Sequence, residues 1–150
     1  DSQQLSPYID QSRVVYDLGS GAGFPGLVLA MMRPDLDIHL IESDQRKCQF
    51  LRTVSRETDT HIQIHNSRIE ELNVEAPDIV TARALAPVRD ILGYIHGWAG
   101  ANPDLRAVLL KGANAPGEID KAKAAYDFTA EIAPSRTGDG VLVDIYNIKT

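Results

Sequence analysis

The sequence predicts a doubly wound α/β fold: a mostly parallel, Rossmann-like sheet with helices on both faces and an antiparallel hairpin at its C-terminal end. Three observations carry this. Short β-rich apolar runs alternate with longer segments of helical period, the pattern of strands joined by crossover helices. The first run ends in a glycine cluster, Gly19, Gly21, Gly23 and Gly26. Only a short turn around Gly138-Asp-Gly140 separates the last two runs, so they can pair as a hairpin.

Val14-Val-Tyr-Asp-Leu18 reads as the first strand, and Leu27 to Arg33 as a short helix stopped by Pro34. Asp37 to Glu42 is the second strand. Gln45 to Thr58 carries Cys48, Leu51, Val54 and Ser55 at helical spacing, with Ser43 or Asp44 placed to cap it. The third, fourth and fifth strands are His61 to His65, Asp78 to Ala82 and Arg106 to Leu110, with a helix over Val88 to Trp98 between the last two. An Ala-rich helix, Pro116 to Tyr126, precedes the closing strands Phe128 to Ala133 and Val141 to Ile148. Sheets wound this way bind ligands beyond the carboxyl ends of their strands, at the point where the strand order reverses. The segments Gly19 to Gly26, Glu42 to Asp44, Ser67 to Glu71, Arg83 to Pro87 and Lys111-Gly112 therefore hold the functional information.

A length of 150 residues suits one domain, residues 1–150, large enough to bury a core without disulfides. The single cysteine, Cys48, makes an intramolecular disulfide impossible and points to a reducing, cytoplasmic setting. No apolar run approaches the ~20 residues of a membrane span. A net charge of −6 argues against a general nucleic-acid coat, because affinity for a polyanion comes from Lys and Arg displacing counterions. Any nucleic-acid role must rest on a local basic patch. A monomer without a bound metal is expected.

Asp17-Leu-Gly-Ser-Gly-Ala-Gly-Phe-Pro-Gly26 is the strongest local signal. Glycines at 19, 21 and 23 allow a sharp turn and close approach of backbone to ligand. The loop follows a strand and opens a helix, and an acid, Glu42, ends the next strand, which together indicate a nucleotide-like ligand. Charge narrows the choice. A pyrophosphate on this loop would lie near Asp17, and like charges ~4 Å apart repel by ~4 kcal/mol at an effective dielectric of 20. S-adenosylmethionine instead brings an ammonium and a sulfonium that a carboxylate attracts, while its own carboxylate can meet loop N–H groups. Asp17 then faces the cofactor's amino end and Glu42 its ribose hydroxyls. The plainer alternatives are that Asp17 orders the glycine turn and Glu42 faces water.

The glycine loop, with Met32-Arg-Pro34, Ser67-Arg-Ile-Glu-Glu71, Ala82-Arg-Ala84 and Leu110-Lys-Gly112, resembles the bacterial small-subunit ribosomal RNA guanine-N7 methyltransferase family, also called glucose-inhibited division protein B. The similarity runs from Asp1-Ser2 to near Thr150, and the family usually has a helical segment ahead of the position of Asp1. The resemblance implies a methyltransferase fold, S-adenosylmethionine as cofactor, small-subunit rRNA or the ribosomal particle as partner, and cofactor contacts from Gly19, Phe24, Ile69, Glu70 and Arg83.

Read from the residues, Ile69 can cover an adenine or pack in the core, and Glu70 can meet the adenine edge or start a helix. Arg83 and Lys111 end the fourth and fifth strands and can hold RNA phosphates or the acceptor base. Arg83 could also pair with a cofactor-site carboxylate, and either cation could form a structural salt bridge. Tyr94 and Trp98 could stack on a base, although packing suits them better. His39, His61 and His65 read as strand-surface residues, the last two ~13 Å apart and unable to share a metal. Cys48 lies on a crossover helix away from the acceptor site. Ala82-Arg-Ala-Leu-Ala-Pro87 lacks the Asn/Asp-Pro-Pro-aromatic turn that grips an exocyclic amine, which favours a ring nitrogen. The alternatives to RNA methylation are a module that binds the cofactor without transfer and a small-molecule methyltransferase.

Overall fold

The computed structural model describes residues 9, 13–19, 25–72, 74–83, 86–134 and 140–149. In chain order these form β1 (Val14–Leu18), α1 (Gly26–Met32), β2 (Asp37–Glu42), α2 (Gln45–Glu57), β3 (Gln63–Asn66), β4 (Ile79–Arg83), α3 (Val88–Ala101), β5 (Arg106–Lys111), α4 (Ala115–Lys123), β6 (Thr129–Pro134) and β7 (Val141–Tyr146). A single 3-10 turn, Ile69–Glu71, follows β3.

The strands make one sheet in the order β3-β2-β1-β4-β5-β7-β6. β1 to β5 are parallel, and β7 runs antiparallel to both β5 and β6. The doubly wound class is thus as the sequence reads, and the closing hairpin forms. Its second strand, however, lies inside its first, between β5 and β6. β7 is buried over Leu142–Ile145, whereas β6 exposes Glu131 and Ile132 and ends at Pro134. Proline lacks the N–H a central strand needs, so β6 suits the sheet edge. The turn around Gly138 lies outside the described residues.

Alternation along the strands splits the core between the faces. Val15, Leu40 and Val108 pack with Leu27, Leu29 and Leu51 on the side of α1 and α2. Tyr16, Ile41 and Leu109 pack with Ile91, Leu92, Ile95 and Ile119 on the side of α3 and α4. Asp44 caps α2, accepting from the N–H groups of Arg46 and Lys47 at 2.9 and 3.2 Å. β3 begins at Gln63, so His61 precedes it. None of the described helices is long and apolar enough to cross a membrane.

The chain winds outward from β1 through β2 to β3, then returns to β4 on β1's other side. The carboxyl ends of β1, β2 and β4 consequently diverge around a crevice, the place such sheets reserve for ligands.

Candidate active site

A cleft of about 430 Å³ opens there, lined from β1 by Gly19, from β2 by Ile41, Glu42 and Ser43, from α2 by Lys47, from the segment after β3 by Ser67 to Glu70, and by Ala86 and Tyr94. Gly19 has φ of 68°, a left-handed conformation a side chain would strain, and its N–H donates to Ile41 O at 2.8 Å. That turn lifts the chain off the end of β1. Gly21, Gly23 and Phe24, the other loop positions expected at the cofactor, lie outside the described residues.

Glu42 is nearly buried, at 7% exposure. One carboxylate oxygen accepts from the Asp44 N–H at 2.8 Å. The other has no hydrogen-bond partner among the described residues, so the group retains an acceptor on the cleft wall. Its backbone is equally fixed: Asn66 Nδ2 donates to the carbonyls of Glu42 and Ser43 at 3.2 and 3.0 Å, tying the end of β2 to that of β3. Asn66 escaped the sequence reading because its role depends on the β2–β3 register, in which it pairs with Glu42.

Ile69 serves both roles the sequence allowed, lining the cleft while packing against the α3-side core. Glu70 is exposed at the rim. The two aromatic residues of α3 part company: Trp98 packs edge-on against Tyr16, with ring centroids 5.3 Å apart, whereas Tyr94 is 37% exposed and faces the cleft.

Asp17 lies elsewhere. It is fully buried, accepts from Thr81 Oγ1 at 2.6 Å, and shares the α1 face with Val15. A Cβ placed on Gly26 would come within 2.7 Å of Asp17 Oδ2, so the carboxylate sits directly against the start of α1. Asp17 does not line the described cleft, and the loop residues 20–24 that follow it lie outside the described residues.

The two cations expected at the acceptor side also separate. Arg83 ends β4 exposed, with no hydrogen-bond or ion-pair partner among the described residues. Lys111 is withdrawn, its side chain 6% exposed. Its ammonium donates to Ala86 O at 2.7 Å and pairs with Glu118 Oε1 at 3.0 Å, and that same oxygen accepts from the Val88 N–H at 3.1 Å. β5 and α4 thus grip the Ala86–Val88 segment between Arg83 and α3. Lys111 forms the structural salt bridge that the sequence left open.

The histidine reading needs correction. His39 and His65 are not independent surface residues: their rings stack 5.1 Å apart, with His39 Nδ1 2.8 Å from His65 Nε2. His39 Nε2 also lies 3.2 Å from Asp37 Oδ1. Burial, with His39 alongside, holds the His65 imidazole below its ordinary pKa. No group of three or more His, Cys, Asp or Glu among the described residues could hold a metal. Burial likewise raises the Cys48 thiol, which donates to Glu42 O at 3.3 Å and supports the cleft wall from behind.

The sheet order and the cleft define a Rossmann-like fold with a strand-end crevice, and solved methyltransferases share it. Magnesium protoporphyrin IX methyltransferase from Synechocystis, solved with bound S-adenosylmethionine, superposes with a TM-score of 0.70 at 13% identity, covering 99% of this chain and 76% of that one. An rRNA methylase from Streptococcus thermophilus gives 0.70 at 14% identity, covering 99% and 94%. At these identities the likeness is one of fold. The family described as GidB, rRNA small subunit methyltransferase G, matches residues 1–137, and the chain belongs to that family. Relatives named ribosomal RNA small subunit methyltransferase G include those of Paramagnetospirillum magneticum, 46% identical over 95% of this chain and 69% of the relative, and Parvibaculum lavamentivorans, 43% identical over 91% and 62%. The chain spans about two thirds of the length of such relatives.

Proposed function

We propose that this chain binds S-adenosylmethionine in the cleft and transfers its methyl group to N7 of a guanine in small-subunit rRNA. The observation that carries the reading is the wall itself: a nearly buried carboxylate with one free acceptor oxygen, Glu42, beside an apolar face, Ile69, and a positive-φ turn, Gly19. This donor set fits a nucleoside. Glu42 would accept from the ribose hydroxyls, Ile69 would cover the adenine, Glu70 would meet its edge, and the glycine turn backed by Asp17 would approach the amino-acid end. When bound, the cofactor supplies an electrophilic methyl on a sulfonium.

What remains for the chain's own residues is positioning, which can supply ~7–11 kcal/mol of a barrier. Guanine N7 carries a free lone pair near neutrality, so no side chain need remove a proton before transfer. Arg83 is exposed at the acceptor side, where its guanidinium fork, which has donors and no acceptor, can hold a phosphate or the base edge. Lys111 contributes indirectly, by fixing the segment that follows Arg83.

Labelled S-adenosylmethionine, incubated with the chain and either deproteinised small-subunit RNA, intact small subunits or a metabolite pool, tests the reading. Label on guanine N7 of the RNA is expected. Label confined to a metabolite, or cofactor binding without transfer, would overturn it in favour of a small-molecule enzyme or a binding module. Calorimetry should show binding of S-adenosylmethionine and its demethylated product, and none of NAD.

A further inference from the structure

The helix beside the cleft concentrates cations on its surface. In a chain of net charge −6, α2 carries Arg46, Lys47, Arg52 and Arg56 against one carboxylate, Glu57. Arg46 and Lys47 occupy the first turn, which holds no acid, although the positive end of the helix dipole disfavours cations there. Arg52 and Arg56 stand four residues apart, the spacing at which like charges repel. All four are exposed, and none has a side-chain hydrogen-bond or ion-pair partner among the described residues. Elsewhere Arg13, Arg33, Arg106 and Lys111 each face a carboxylate, whereas Arg68 and Arg83, at the carboxyl ends of the strands, have no ion-pair partner among the described residues. Opposite the buried Cys48 and Leu51, the same helix leaves Phe50 53% exposed.

An excess of cations on one helix of an acidic chain suits an external polyanion. Lys47 lines the cleft from the first turn of the helix, beside Arg46, and the cations run about 15 Å along the helix from Arg46 to Arg56. An exposed aromatic ring among the cations adds a platform for an unpaired base. We infer that the outer face of α2 is the surface on which substrate RNA docks, with Arg46, Arg52 and Arg56 on phosphates and Phe50 under a base. The assignment rests on the reading of the chain as an RNA methyltransferase. It supplies the local basic patch that an acidic RNA-binding protein requires.

The test measures small-subunit RNA affinity across a salt series for the unsubstituted chain, Arg52→Ala/Arg56→Ala, Arg52→Lys and Phe50→Ala, with circular dichroism to confirm folding. The double variant should lose on the order of tenfold in affinity at physiological salt, its log–log slope shallower by about 0.7–0.9 for each phosphate contact removed. Arg52→Lys should retain both. Phe50→Ala should lose on the order of fivefold with the slope unchanged, as for a lost stacking contact. Affinity for S-adenosylmethionine should not change. Equal RNA affinity and slope in the folded double variant would overturn the docking surface while leaving the transferase reading intact. Loss seen only with the assembled particle and not with naked RNA would assign the face to a protein partner instead. Absence of transfer by the unsubstituted chain to any RNA overturns both.

Discussion

Clefts of similar size lie at the two ends of the strands, about 430 Å³ at the carboxyl ends and about 350 Å³ beside the start of β5. Their walls differ in how the charges are spent. In the second cleft Arg106 forks onto both oxygens of Asp144, and Tyr146 donates to Glu131 at 3.0 Å. Close by, Asn102 Nδ2 holds Pro77 O at 3.1 Å, and Asp78 binds Val14 N at 2.8 Å and faces Arg13. At the carboxyl ends one oxygen of Glu42 and the cations of Lys47, Arg68 and Arg83 have no partners among the described residues. The ion pairs of the second cleft bind it into the scaffold, although Asp104 and Asn147 on its wall have no side-chain partner among the described residues, whereas at the carboxyl ends the cations and a buried carboxylate oxygen are left open to a ligand. Volume does not distinguish the two; the pairing of their arginines does.

The sharpest break of this comparison removes one arginine from each end. Arg83→Ala should reduce methyl transfer by on the order of a hundredfold through lost positioning, with little change in stability, because nothing in the described fold leans on that side chain. Arg106→Ala should do the reverse. It strands the Asp144 carboxylate, which is 3% exposed, and should cost about 2–3 kcal/mol of folding free energy while leaving cofactor affinity intact. Urea denaturation alongside single-turnover transfer checks both. If Arg106→Ala abolished transfer at a temperature where it is folded, the division between scaffold end and working end would fall.

Lys111 belongs to the working end by position and to the scaffold by bonding. Lys111→Met should lower stability by about 1–2 kcal/mol and slow transfer, with cofactor affinity nearly unchanged. Because Glu118 completes the same network, Glu118→Gln should share these effects, and the double variant should lose less than the sum of the singles. Strict additivity would instead place the two residues in separate tasks. At Glu42 a smaller change sharpens the assignment: Glu42→Gln keeps an acceptor for the Asp44 N–H but weakens the one offered to ribose, so cofactor affinity should fall by about 1 kcal/mol in calorimetry.

Most strands, the crossover helices and the place of the cleft were legible because periodicity and strand-end position are local properties of a sequence. Gly19, Glu42, Ile69 and Glu70 all reached the cleft for that reason. What was not legible depends on partners far along the chain. Lys111 and Arg83 look alike at strand ends, and only the fold shows that Glu118 and Ala86 claim one and leave the other. The inner place of β7 could have been found from Pro134 and Glu131, which mark β6 as an edge. The basic outer face of α2 was also present in the sequence, at Arg46, Lys47, Arg52 and Arg56, but was hidden by a net charge that averages over the chain.

The His39–His65 pair gives the smallest effect and the last test, since it is a scaffold contact within reach of the working end. The pair couples β2 to β3, whose end carries Asn66 and leads into the cleft. At 2.8 Å, one of the two facing nitrogens must lack a proton and accept. His65 is the one whose folded pKa is depressed, by burial and by His39. In the unfolded chain it returns to about 6.5. Between those two values the unfolded state holds more protons than the native state, so stability rises with pH there and is lost as pH falls below about 6.5. His65→Asn should therefore be less stable than the parent at pH 7.5 and show a shallower loss down to pH 5.5, with urea midpoints at the two pH values giving the comparison. Groups not in contact with this pair are common to both proteins and cancel in the difference, so the change reports the His39–His65 pair as a unit. An unchanged pH dependence in the variant would show that the pair bears no proton-linked load, and that the edge strand is held by its backbone ladder alone.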